Sequence, residues 1–472
     1  MINYIKKINE YNSYDVVVCG GGPAGCAAAL SARREGLSVL IIESTGQLGG
    51  MAVSGQVAQW LGGRTQEGEW VVGGLFKSIS QETAGEGSSI IPLLDPDKDY
   101  HPYGWFNWFI HGVPLDPYKV AFYLDRKMAE AGVDVLFFTR CIDTSVENGR
   151  ITSLVICDPS GLKAIPVKTV IDATGNADVA YLSGCTTQKG RLTDGKMAPS
   201  SLIFHLYDVD EEALTAAIES NRDPKFRDLI KDLRAKGIWN FPSELFICTK
   251  MLHKGEFFMN VSRLVGVDGT EAFSLSDGMR KGREEVFDML KIFREYFPGF
   301  ANAKLKSIAP ILGIRETRKI VGSFVLKEED LVTCRVFDDT IGFSMYGWDL
   351  PDPDKPSVQP YASDQKSGFV PKIKKGLYTP LPFRALIPDK ISNLICAGRC
   401  ISVEGQALGP VRVMAPCMAM GEAAGVACAQ VINKGCDFSE VDIDSLKSEL
   451  RQYGCIVDYD QLPVIHPRVD QV

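Results

Sequence analysis

Residues 14–43 read YDVVVCGGGPAGCAAALSARREGLSVLIIE, and this stretch decides the fold. The apolar run 14–19 predicts a buried parallel strand, residues 20–25 (GGGPAG) a turn, the alanine-rich residues 26–34 a helix, and residues 38–43 a second strand. Strand, glycine turn, helix and strand follow one another within about 30 residues, the length that a βαβ unit requires. The sequence therefore predicts a Rossmann-like α/β unit at this end of the chain.

The glycine turn has the spacing Gly20-x-Gly22-x-x-Gly25 between a strand and a helix, which is the context of a dinucleotide-binding fingerprint. Gly20 would allow the tight turn, Gly22 would let the backbone approach a pyrophosphate, and Gly25 would let the helix pack closely on the strand. The helix N-terminus would offer N–H groups and partial positive charge to the phosphates. Glu43, at the end of the second strand, can accept hydrogen bonds from both ribose hydroxyls, which disfavours a 2′-phosphate.

The fingerprint does not separate NAD from FAD, but two later segments favour FAD. Residues 46–51 (GQLGGM) form a second glycine cluster directly after the ribose acid, as the longer dinucleotide needs. Residues 393–399 (NLICAGR) predict a late strand, and residues 411–425 (VRVMAPCMAMGEAAG) contain a predicted helix that starts near Pro416. The dipole of that helix would stabilise negative charge at the pyrimidine edge of a reduced flavin.

Composition and charge narrow the class of protein. The chain has 472 residues, which exceeds what one core usually supports, so we expect two domains. Its formal charge of −8 is unfavourable for a nucleic-acid surface. The 13 cysteines include no C-x-x-C pair, which argues against disulfides, iron–sulfur clusters or another metal site. We expect no signal peptide, no membrane span and a cytoplasmic location.

Several other elements are predicted from periodicity and turn residues. Residues 116–131 predict an amphipathic helix with an aspartate at its N-cap, and residues 145–156 predict a hairpin. Long helical segments are expected at 211–236 and 277–297. Residues 346–371, rich in Pro, Asp and Ser, predict an irregular excursion.

Six stretches together carry a family resemblance. They are residues 14–43, GQLGGMAVSG (46–55), VIDATGNADVA (170–180), LGIRETRKIVG (312–322), NLICAGRCIS (393–402) and VRVMAPCMAMGEAAG (411–425). The chain resembles the FAD-dependent oxidoreductases of the fumarate reductase/succinate dehydrogenase flavoprotein type, and most closely the group that contains the heterodisulfide reductase flavoprotein subunit. The resemblance extends over nearly the whole chain, and none of its motifs specifies a substrate.

The resemblance agrees with a discontinuous domain organisation. We expect an FAD-binding domain from residues 13–200 together with 390–434, a substrate or capping domain at 201–389, and a C-terminal helical tail at 435–472. The predicted fold class is α/β: a Rossmann-like FAD-binding domain of the glutathione reductase type with an inserted α+β substrate domain.

The resemblance also implies which residues contact the cofactor. These are Gly20, Gly22, Pro23, Ala24 and Gly25 at the turn, Glu43 and Ser44 at the ribose, Gly49, Gly50 and Met51 near the pyrophosphate or flavin, Cys141 at the adenine, Ala173, Thr174 and Gly175 on a second strand, Gly398 and Arg399 by the ribityl chain, and Arg412 and Val413 by the isoalloxazine. Succinate dehydrogenase-type flavoproteins tether FAD to a histidine just after the ribose acid. Residues 44–51 contain no histidine, so we expect non-covalent FAD.

Candidate catalytic arginines lie in the stretch GIRETR. Arg315 and Arg318 are three residues apart, one helical turn, and could point the same way. Arginine binds carboxylates bidentately. In the fumarate reductase type an arginine near the flavin handles the proton, and Arg315 could be its counterpart. The alternative is that Glu316 pairs with an arginine to hold a domain interface.

Histidine offers a second candidate acid or base. His111 closes the aromatic stretch at 100–112 (YHPYGWFNWFIHG), which could cover a substrate or could be a plug against another domain or subunit. His205 lies in an apolar strand and is more typical of a core residue. Arg64 and Arg384 could bind an anionic substrate, although salt bridges are their commoner use.

These patterns predict an enzyme that transfers a hydride between flavin N5 and a small organic substrate. Two alternatives stay open, an electron-transfer flavoprotein subunit that works with a partner and a flavin monooxygenase. No second G-x-G-x-x-G for NAD(P)H is visible. The expected partner is a small-molecule substrate, with neither nucleic acid nor membrane; an electron-transfer partner and oligomerisation stay open.

Overall fold

The apolar runs near the start of the chain form neighbouring strands of one sheet. The computed structural model describes residues 6–65, 67–92, 112–221, 223–333, 335–354 and 378–463. The two predicted strands are Tyr14–Cys19 and Val39–Ile42, joined by helix Pro23–Arg34. Every residue of the second strand is buried, as expected where helices cover both faces of a parallel sheet.

Within the described ranges this sheet has eight strands. Its main path, in spatial order, is Asp134–Leu136, Val39–Ile42, Tyr14–Cys19, Gly161–Asp172, Arg150–Asp158 and Arg140–Glu147; Asn9–Glu10 and Leu394–Cys396 also pair with Gly161–Asp172. The long strand Gly161–Asp172 pairs antiparallel with the hairpin strand Arg150–Asp158 over its first half and parallel with Tyr14–Cys19 over its second half. The hairpin and the late strand were both predicted, and the α/β fold class is confirmed.

The pairing register aligns the ends of four parallel strands. Cys19 lies opposite Ile42 on one side and Asp172 on the other, and Cys396 lies opposite Asp172. All four strands therefore end at one edge of the sheet. The loops that follow them, which hold most of the predicted cofactor residues, converge there, as is typical of ligand sites in open α/β sheets.

The first helix packs closely against a late one. Helix Met414–Lys434 crosses Pro23–Arg34 through Gly421 and Gly425, where an added Cβ would overlap atoms of the first helix. By length and composition Met414–Lys434 could cross a membrane, but 89% of its apolar window is buried within the protein. It therefore has the burial of a core helix.

A second, antiparallel sheet forms from the middle of the chain. In spatial order its strands are Cys248–Lys250, Phe257–Met259, Phe204–Tyr207 and Lys304–Ile308. Helix Ala272–Tyr296 packs on it, with the rings of Phe204 and Phe293 stacked at 6.3 Å between centroids. Five more rings complete what we call the aromatic cluster: Phe226, Trp239, Phe246, Phe297 and Phe300.

Smaller elements complete the described chain. The two-stranded pairings are Gln59–Trp60 with Val113–Pro114, Thr187–Lys189 with Arg318–Ile320, and Thr340–Ser344 with Thr379–Pro382. The other α-helices are Gly74–Gly85, Pro117–Ala131, Asp178–Leu182, Glu211–Asn221, Arg227–Ala235, Glu328–Val332, Leu408–Val411 and Ile443–Gln452. Short 3-10 helices are Gly50–Ala52, Phe383–Leu386, Gly405–Ala407, Phe438–Glu440 and Tyr459–Gln461.

One predicted helix is broken in two. The expected segment 211–236 forms Glu211–Asn221 and Arg227–Ala235. Between them, Asp223 accepts hydrogen bonds from backbone N–H groups of the next turn, and Pro224 lacks the N–H that a continuous helix needs. The prediction of one helix was wrong because this Asp-Pro break was not recognised.

The stretch GIRETR is not helical either. Arg318–Ile320 is a strand paired with Thr187–Lys189, and residues 314–317 lie outside any helix or strand. Gly313 instead pairs as an isolated bridge with Ser201. Tertiary pairing therefore replaces the helical spacing that the sequence had indicated for Arg315 and Arg318.

Candidate functional site

Two glycines of the N-terminal turn are required by the packing of the chain itself. Gly20 has φ +103°, and a Cβ on it would lie 2.5 Å from the Ala173 carbonyl oxygen. A Cβ on Gly25 would overlap the carbonyl oxygen of Gly20. A side chain at either position would therefore force the helix away from the strand ends.

Gly22 is different, because nothing in the described protein explains it. Its backbone is extended, with φ −72° and ψ −176°, and an added Cβ would meet no atom within 4 Å. It precedes helix Pro23–Arg34, whose N-terminus has no side-chain cap. Open space next to uncapped helical N–H groups suits the close approach of a phosphate.

Glu43 is hydrogen-bonded to the glycine turn. One carboxylate oxygen accepts from Gly21 N–H at 2.7 Å, and the other accepts from Thr45 N–H at 2.7 Å and Ser44 Oγ at 3.2 Å. The residue is 8% exposed. A carboxylate has about four lone-pair positions, so these three donors leave acceptor capacity for a ribose hydroxyl.

Two other loops meet the turn. Gly49 N–H donates to the Gly21 carbonyl at 2.8 Å, and a Cβ on Gly50 would lie 2.7 Å from Gly22 Cα. On the far side of Glu43, its carbonyl accepts from Thr139 N–H at 2.9 Å, which brings the strand that holds Cys141 alongside. The predicted pyrophosphate, ribose and adenine residues are thus brought together.

The third strand end is organised by a buried carboxylate. Asp172 accepts from Thr174 N–H and Oγ1 and from Ala180 N–H, which orders the loop at 173–175. Burial, and then the nearby charge of Asp178, raises the pKa of Asp172 to about 6. Ala173 N–H donates to the Cys19 carbonyl, so this loop borders the glycine turn.

Arg399 hydrogen-bonds the loop after strand Leu394–Cys396 to the same edge of the sheet. Its guanidinium donates to Asn176 Oδ1 at 2.7 Å and Thr317 Oγ1 at 3.1 Å, and it leaves no room for a side chain on Gly175. Burial lowers the pKa of Arg399. Gly398, with φ +99°, lets the chain turn there.

Helix Met414–Lys434 begins next to a group of buried arginines. Val413 is the N-cap of Met414–Lys434 and offers no side-chain cap. The preceding Arg412 donates to the Asp349 backbone carbonyl and lies 3.5 Å from Asp349 Oδ2. Tyr346 OH donates to the same carboxylate at 3.0 Å.

Arg315 reaches this group from the GIRETR segment. It donates to the Pro199 carbonyl at 2.6 Å and to Ser201 Oγ at 2.8 Å, with Asn260 Oδ1 at 3.4 Å. These partners are all uncharged. Burial lowers the pKa of Arg315 well below its ordinary value, and Arg263 and Arg412 lower it further.

Arg263 is a member of the site that the sequence did not indicate. It is 5% exposed and donates to Ser201 Oγ at 3.2 Å and to the Ser262 carbonyl at 3.2 Å. Its position inside the apolar run VSRLVG was the one available signal, because an arginine in a buried apolar segment needs a reason. The group formed by Arg263, Arg315, Arg412, Asp349 and Tyr346 is called the arginine cluster below.

The arginine cluster adjoins the second cofactor loop. Ser201 pairs with Gly313, and a Cβ on Gly313 would lie 3.6 Å from Met51 Cε. The predicted flavin-side residues Met51, Arg412 and Val413 are therefore near Arg315.

Arg318 faces elsewhere. It forms an ion pair with Asp178, donates to the Asn176 carbonyl at 3.1 Å, and stacks over Tyr181 at 4.4 Å from the ring centroid. Glu316 pairs with Lys319 rather than with an arginine. The expectation that Arg315 and Arg318 point the same way was wrong, because this segment is extended.

The remaining candidates fall into two groups. His111 and its aromatic stretch lie outside the described residues. His205 is buried, with Nε2 2.9 Å from the Gln56 carbonyl, and burial lowers its pKa to about 4, so it is neutral near pH 7. Arg384 pairs bidentately with Asp339, and Arg64 donates to backbone carbonyls, where burial lowers its pKa to about 10.

Comparison with known proteins gives one match over most of the chain. Residues 15–450 match the model of a family described as FAD dependent oxidoreductase. Thiamine thiazole synthase of Aeropyrum pernix is 28% identical over 210 residues, which cover 42% of this chain and 66% of that protein. Digeranylgeranylglycerophospholipid reductase 2 of Methanothermobacter thermautotrophicus is 30% identical over 179 residues, covering 37% of this chain and 43% of that protein.

In both matches the chain spans less than two thirds of the relative's length. Among solved structures, a geranylgeranyl bacteriochlorophyll reductase-like protein of Thermoplasma acidophilum aligns with a TM-score of 0.45 and 16% identity, over 93% of this chain and 84% of that one.

Proposed function

Because this chain belongs to the FAD-dependent oxidoreductase family, we propose that it is an enzyme that exchanges a hydride between FAD and a small organic substrate bound beside Arg315. Membership of this family makes the chain an FAD-binding oxidoreductase. The proposal adds the position of the substrate and the roles of individual residues. The observation that supports the cofactor position is the open space at Gly22, because it lies next to helical N–H groups without a side-chain cap, at the edge where the strand ends meet.

The residues around that space fit an adenine dinucleotide. The helix at Pro23 would bind the pyrophosphate through its N–H groups, and Glu43 would accept from the ribose. The strand that begins at Arg140 would border the adenine, and the turn at Gly398 would border the ribityl chain. With no histidine in residues 44–51, the cofactor would be held non-covalently.

Bound FAD would supply the two-electron chemistry of the reaction. This chain's own residues would position the substrate and control charge. The dipole of helix Met414–Lys434, whose N-terminus has no side-chain cap, would stabilise negative charge at the pyrimidine edge of the ring system. Arg315, held by Pro199 and Ser201, would orient the substrate and hold a proton near it.

The finer resemblance also belongs to this proposal. We infer a relationship to the fumarate reductase/succinate dehydrogenase flavoprotein type from the six motif stretches and from the GIRETR segment, whose Gly313 borders Met51. We further infer that residues 13–200 and 390–434 form the cofactor domain, with 201–389 as the substrate domain, because the antiparallel sheet lies wholly within the second segment.

The test is spectroscopic and needs no partner protein. The purified protein should show the visible absorption of oxidised flavin. After denaturation and filtration, the released flavin should be identified as FAD. Anaerobic addition of the right metabolite from a panel of small organic compounds should bleach that absorption. Bleaching only after an added redox protein would favour an electron-transfer subunit instead.

A third arm separates the remaining alternative. Rapid oxygen uptake driven by NAD(P)H, with hydroxylation of the added compound, would assign a monooxygenase and contradict the proposed hydride exchange. A folded protein that neither contains nor takes up FAD would overturn the proposal altogether.

A further inference from the structure

Two cysteines from distant parts of the chain meet beside the glycine turn. Cys19 is the last residue before that turn, and Cys141 is the second residue of the hairpin strand Arg140–Glu147. Because side chains alternate along a strand, Cys19 points to the same face of the sheet as Val17. On that face both belong to a buried core that includes Ile156 of the hairpin, and Cys141 packs against this core. The fold therefore places the two sulfur atoms in one region.

The two thiols are hydrogen-bonded to each other. The S–H of Cys141 donates to the Asp143 carbonyl, with 3.4 Å between sulfur and oxygen. Cys19 is therefore the donor in the bond between the two cysteines, and Cys141 is the acceptor. This hydrogen bond, and then burial, raises the pKa of the Cys19 thiol well above its ordinary value. Both residues are free thiols, so the sulfur atoms are in contact without being bonded.

Of the two sulfur atoms, that of Cys141 is the one that a reagent can reach. Cys141 is half-buried, whereas Cys19 is 1% exposed. Cys396 and Cys400 form a second hydrogen-bonded pair of thiols, but both are fully buried. Because oxidation of a cysteine requires access to its sulfur, Cys19 and Cys141 are the pair of these two that can be oxidised.

The strand that holds Cys141 is able to adjust. The pairing register of the hairpin shifts between Cys141 and Asp143, which marks a β-bulge. A bulge bends its strand locally and interrupts the ladder. Among the described residues, Arg140–Glu147 pairs with Arg150–Asp158 alone, so it lies at the edge of the sheet. An edge strand with a bulge can shift enough to bring two contacting sulfur atoms to the bonded distance of about 2.05 Å.

We propose that hydrogen peroxide converts Cys19 and Cys141 reversibly into a disulfide, and that this disulfide weakens the binding of FAD. The bond takes the S–H of Cys141 away from the Asp143 carbonyl and draws the start of the strand toward the glycine turn. Cys141 is the residue expected beside the adenine, so this movement displaces one wall of the adenosine position. The effect on FAD thus rests on the proposed function, whereas the formation of the disulfide does not.

One molecule of hydrogen peroxide balances the reaction. The Cys141 sulfur attacks one peroxide oxygen, the O–O bond breaks, and the departing oxygen leaves as water with the Cys141 proton. The Cys19 sulfur then attacks the sulfur of the resulting sulfenic acid. The S–S bond forms, the S–O bond breaks, and a second water leaves with the Cys19 proton. The two thiols lose two electrons, and the peroxide is reduced to two waters.

The experiment treats the FAD-loaded protein with hydrogen peroxide, removes the peroxide with catalase, and blocks the remaining thiols with iodoacetamide. Mass spectrometry of a digest prepared without reductant should find the peptides of Cys19 and Cys141 linked. In a parallel sample left unblocked, the FAD that passes a filter over a series of dilutions should give a dissociation constant about tenfold higher than that of the reduced protein. Dithiothreitol should reverse both changes, as expected of a disulfide and not of higher oxidation states.

Two serine variants identify the cysteines that respond. Cys141→Ser should form no linked peptide, and its FAD affinity should be the same before and after peroxide. The matched control is Cys157→Ser, which removes an exposed cysteine from the neighbouring strand Arg150–Asp158. Cys157 follows Ile156, the residue paired with Cys141, so its side chain points to the opposite face of the hairpin. This control should form the disulfide and lose FAD like the unmodified protein.

The possible outcomes separate the disulfide from the proposed function. An FAD-loaded protein in which Cys19 and Cys141 stay unlinked, or in which Cys396 and Cys400 are linked instead, overturns the disulfide and leaves the proposed function standing. Linked peptides with unchanged FAD affinity overturn the effect on the cofactor. A protein that takes up no FAD but yields the linked peptides supports the disulfide and overturns the proposed function. If Cys141→Ser does not fold, Cys19→Ala replaces it, and a loss of FAD by that variant after peroxide counts against the proposal.

Discussion

At the level of single residues, three glycines of one turn meet different demands. Gly20 and Gly25 are fixed by contacts inside the chain, since each Cβ would overlap or crowd backbone atoms. Gly22 has an ordinary extended backbone and empty space in the direction of its missing side chain. The first two therefore maintain the fold, and we propose that the third admits the cofactor.

Replacing Gly22 should separate cofactor binding from folding. We expect Gly22→Val to fold with a melting temperature close to that of the unmodified apoprotein, because valine tolerates this backbone conformation. Its FAD affinity should fall by about tenfold or more, since the side chain would occupy the space for the pyrophosphate. Fluorescence titration with FAD and thermal unfolding of the apoprotein measure the two effects.

The matched control for this variant is Gly85→Val. Gly85 also has open space at its Cβ position, but it ends the helix Gly74–Gly85 away from the glycine turn. It should retain full FAD affinity. By contrast, Gly25→Ala should destabilise even the apoprotein, by about 1–3 kcal/mol, as overpacking usually does. Normal FAD binding by Gly22→Val would contradict the role given to this residue.

Single residues also mark the limit of what the sequence can reveal. Glu43 was identifiable because its place at the end of a strand follows from local pattern. Arg263 was not, because no spacing in the chain connects it with Arg315 or Arg412. Two isolated bridges, Ser200 with Leu264 and Ser201 with Gly313, bring the segments of Arg263 and Arg315 together.

At the level of elements, strongly periodic segments were predictable and their interruptions were not. The hairpin strands Arg140–Glu147 and Arg150–Asp158, and helix Ala272–Tyr296, follow from local propensity and turn residues. The GIRETR segment does not, because the strand Arg318–Ile320 is stabilised by a partner more than a hundred residues away. Such tertiary pairing overrides the local helical spacing.

Helix Ala272–Tyr296 contains a buried acid that links stability to pH. Glu285 is 8% exposed, its Oε2 has no hydrogen-bond partner among the described residues, and burial raises its pKa from 4.5 to about 7, with Lys281 opposing the shift. The folded protein therefore binds this proton more tightly than the unfolded chain does. The stabilisation is complete below about pH 4.5 and is lost as the pH rises through 7.

Glu285→Gln should remove this pH dependence. The variant keeps the shape of the protonated acid, so its stability should equal that of the unmodified protein at low pH and exceed it by up to about 3 kcal/mol above neutral pH. Urea unfolding at a series of pH values between these limits measures the difference. The exposed neighbour Glu284 provides the control, since Glu284→Gln should follow the unmodified protein throughout. A difference that shrank as the pH rose would contradict the assignment.

At the level of the whole molecule, the proposed cofactor site is assembled from segments that are far apart in the chain. The strand ends at Cys19, Ile42, Asp172 and Cys396 meet at one edge, and the crossing of two helices at Gly421 holds the N-terminal and late segments together. Because FAD would touch all of these segments, its binding should stabilise this assembly as a unit.

Hydrogen exchange with and without FAD tests this picture and the proposed division into two domains. At a hundredfold excess of FAD over its dissociation constant, binding contributes about 2.7 kcal/mol to the folded state. Amides at 20–25, 43–51, 173–175 and 397–417 should therefore exchange more slowly in the FAD-loaded protein. Amides of the aromatic cluster should be unchanged, because a separate substrate domain would open independently of the cofactor domain. If their protection rises equally with FAD, the protein unfolds as one cooperative unit and the boundary near residue 200 is wrong. At the same FAD concentration, the Gly22→Val variant should gain less protection at the amides of the proposed cofactor site, at most about 1.4 kcal/mol for an affinity tenfold or more weaker. This difference separates the effect of bound cofactor from that of the solution.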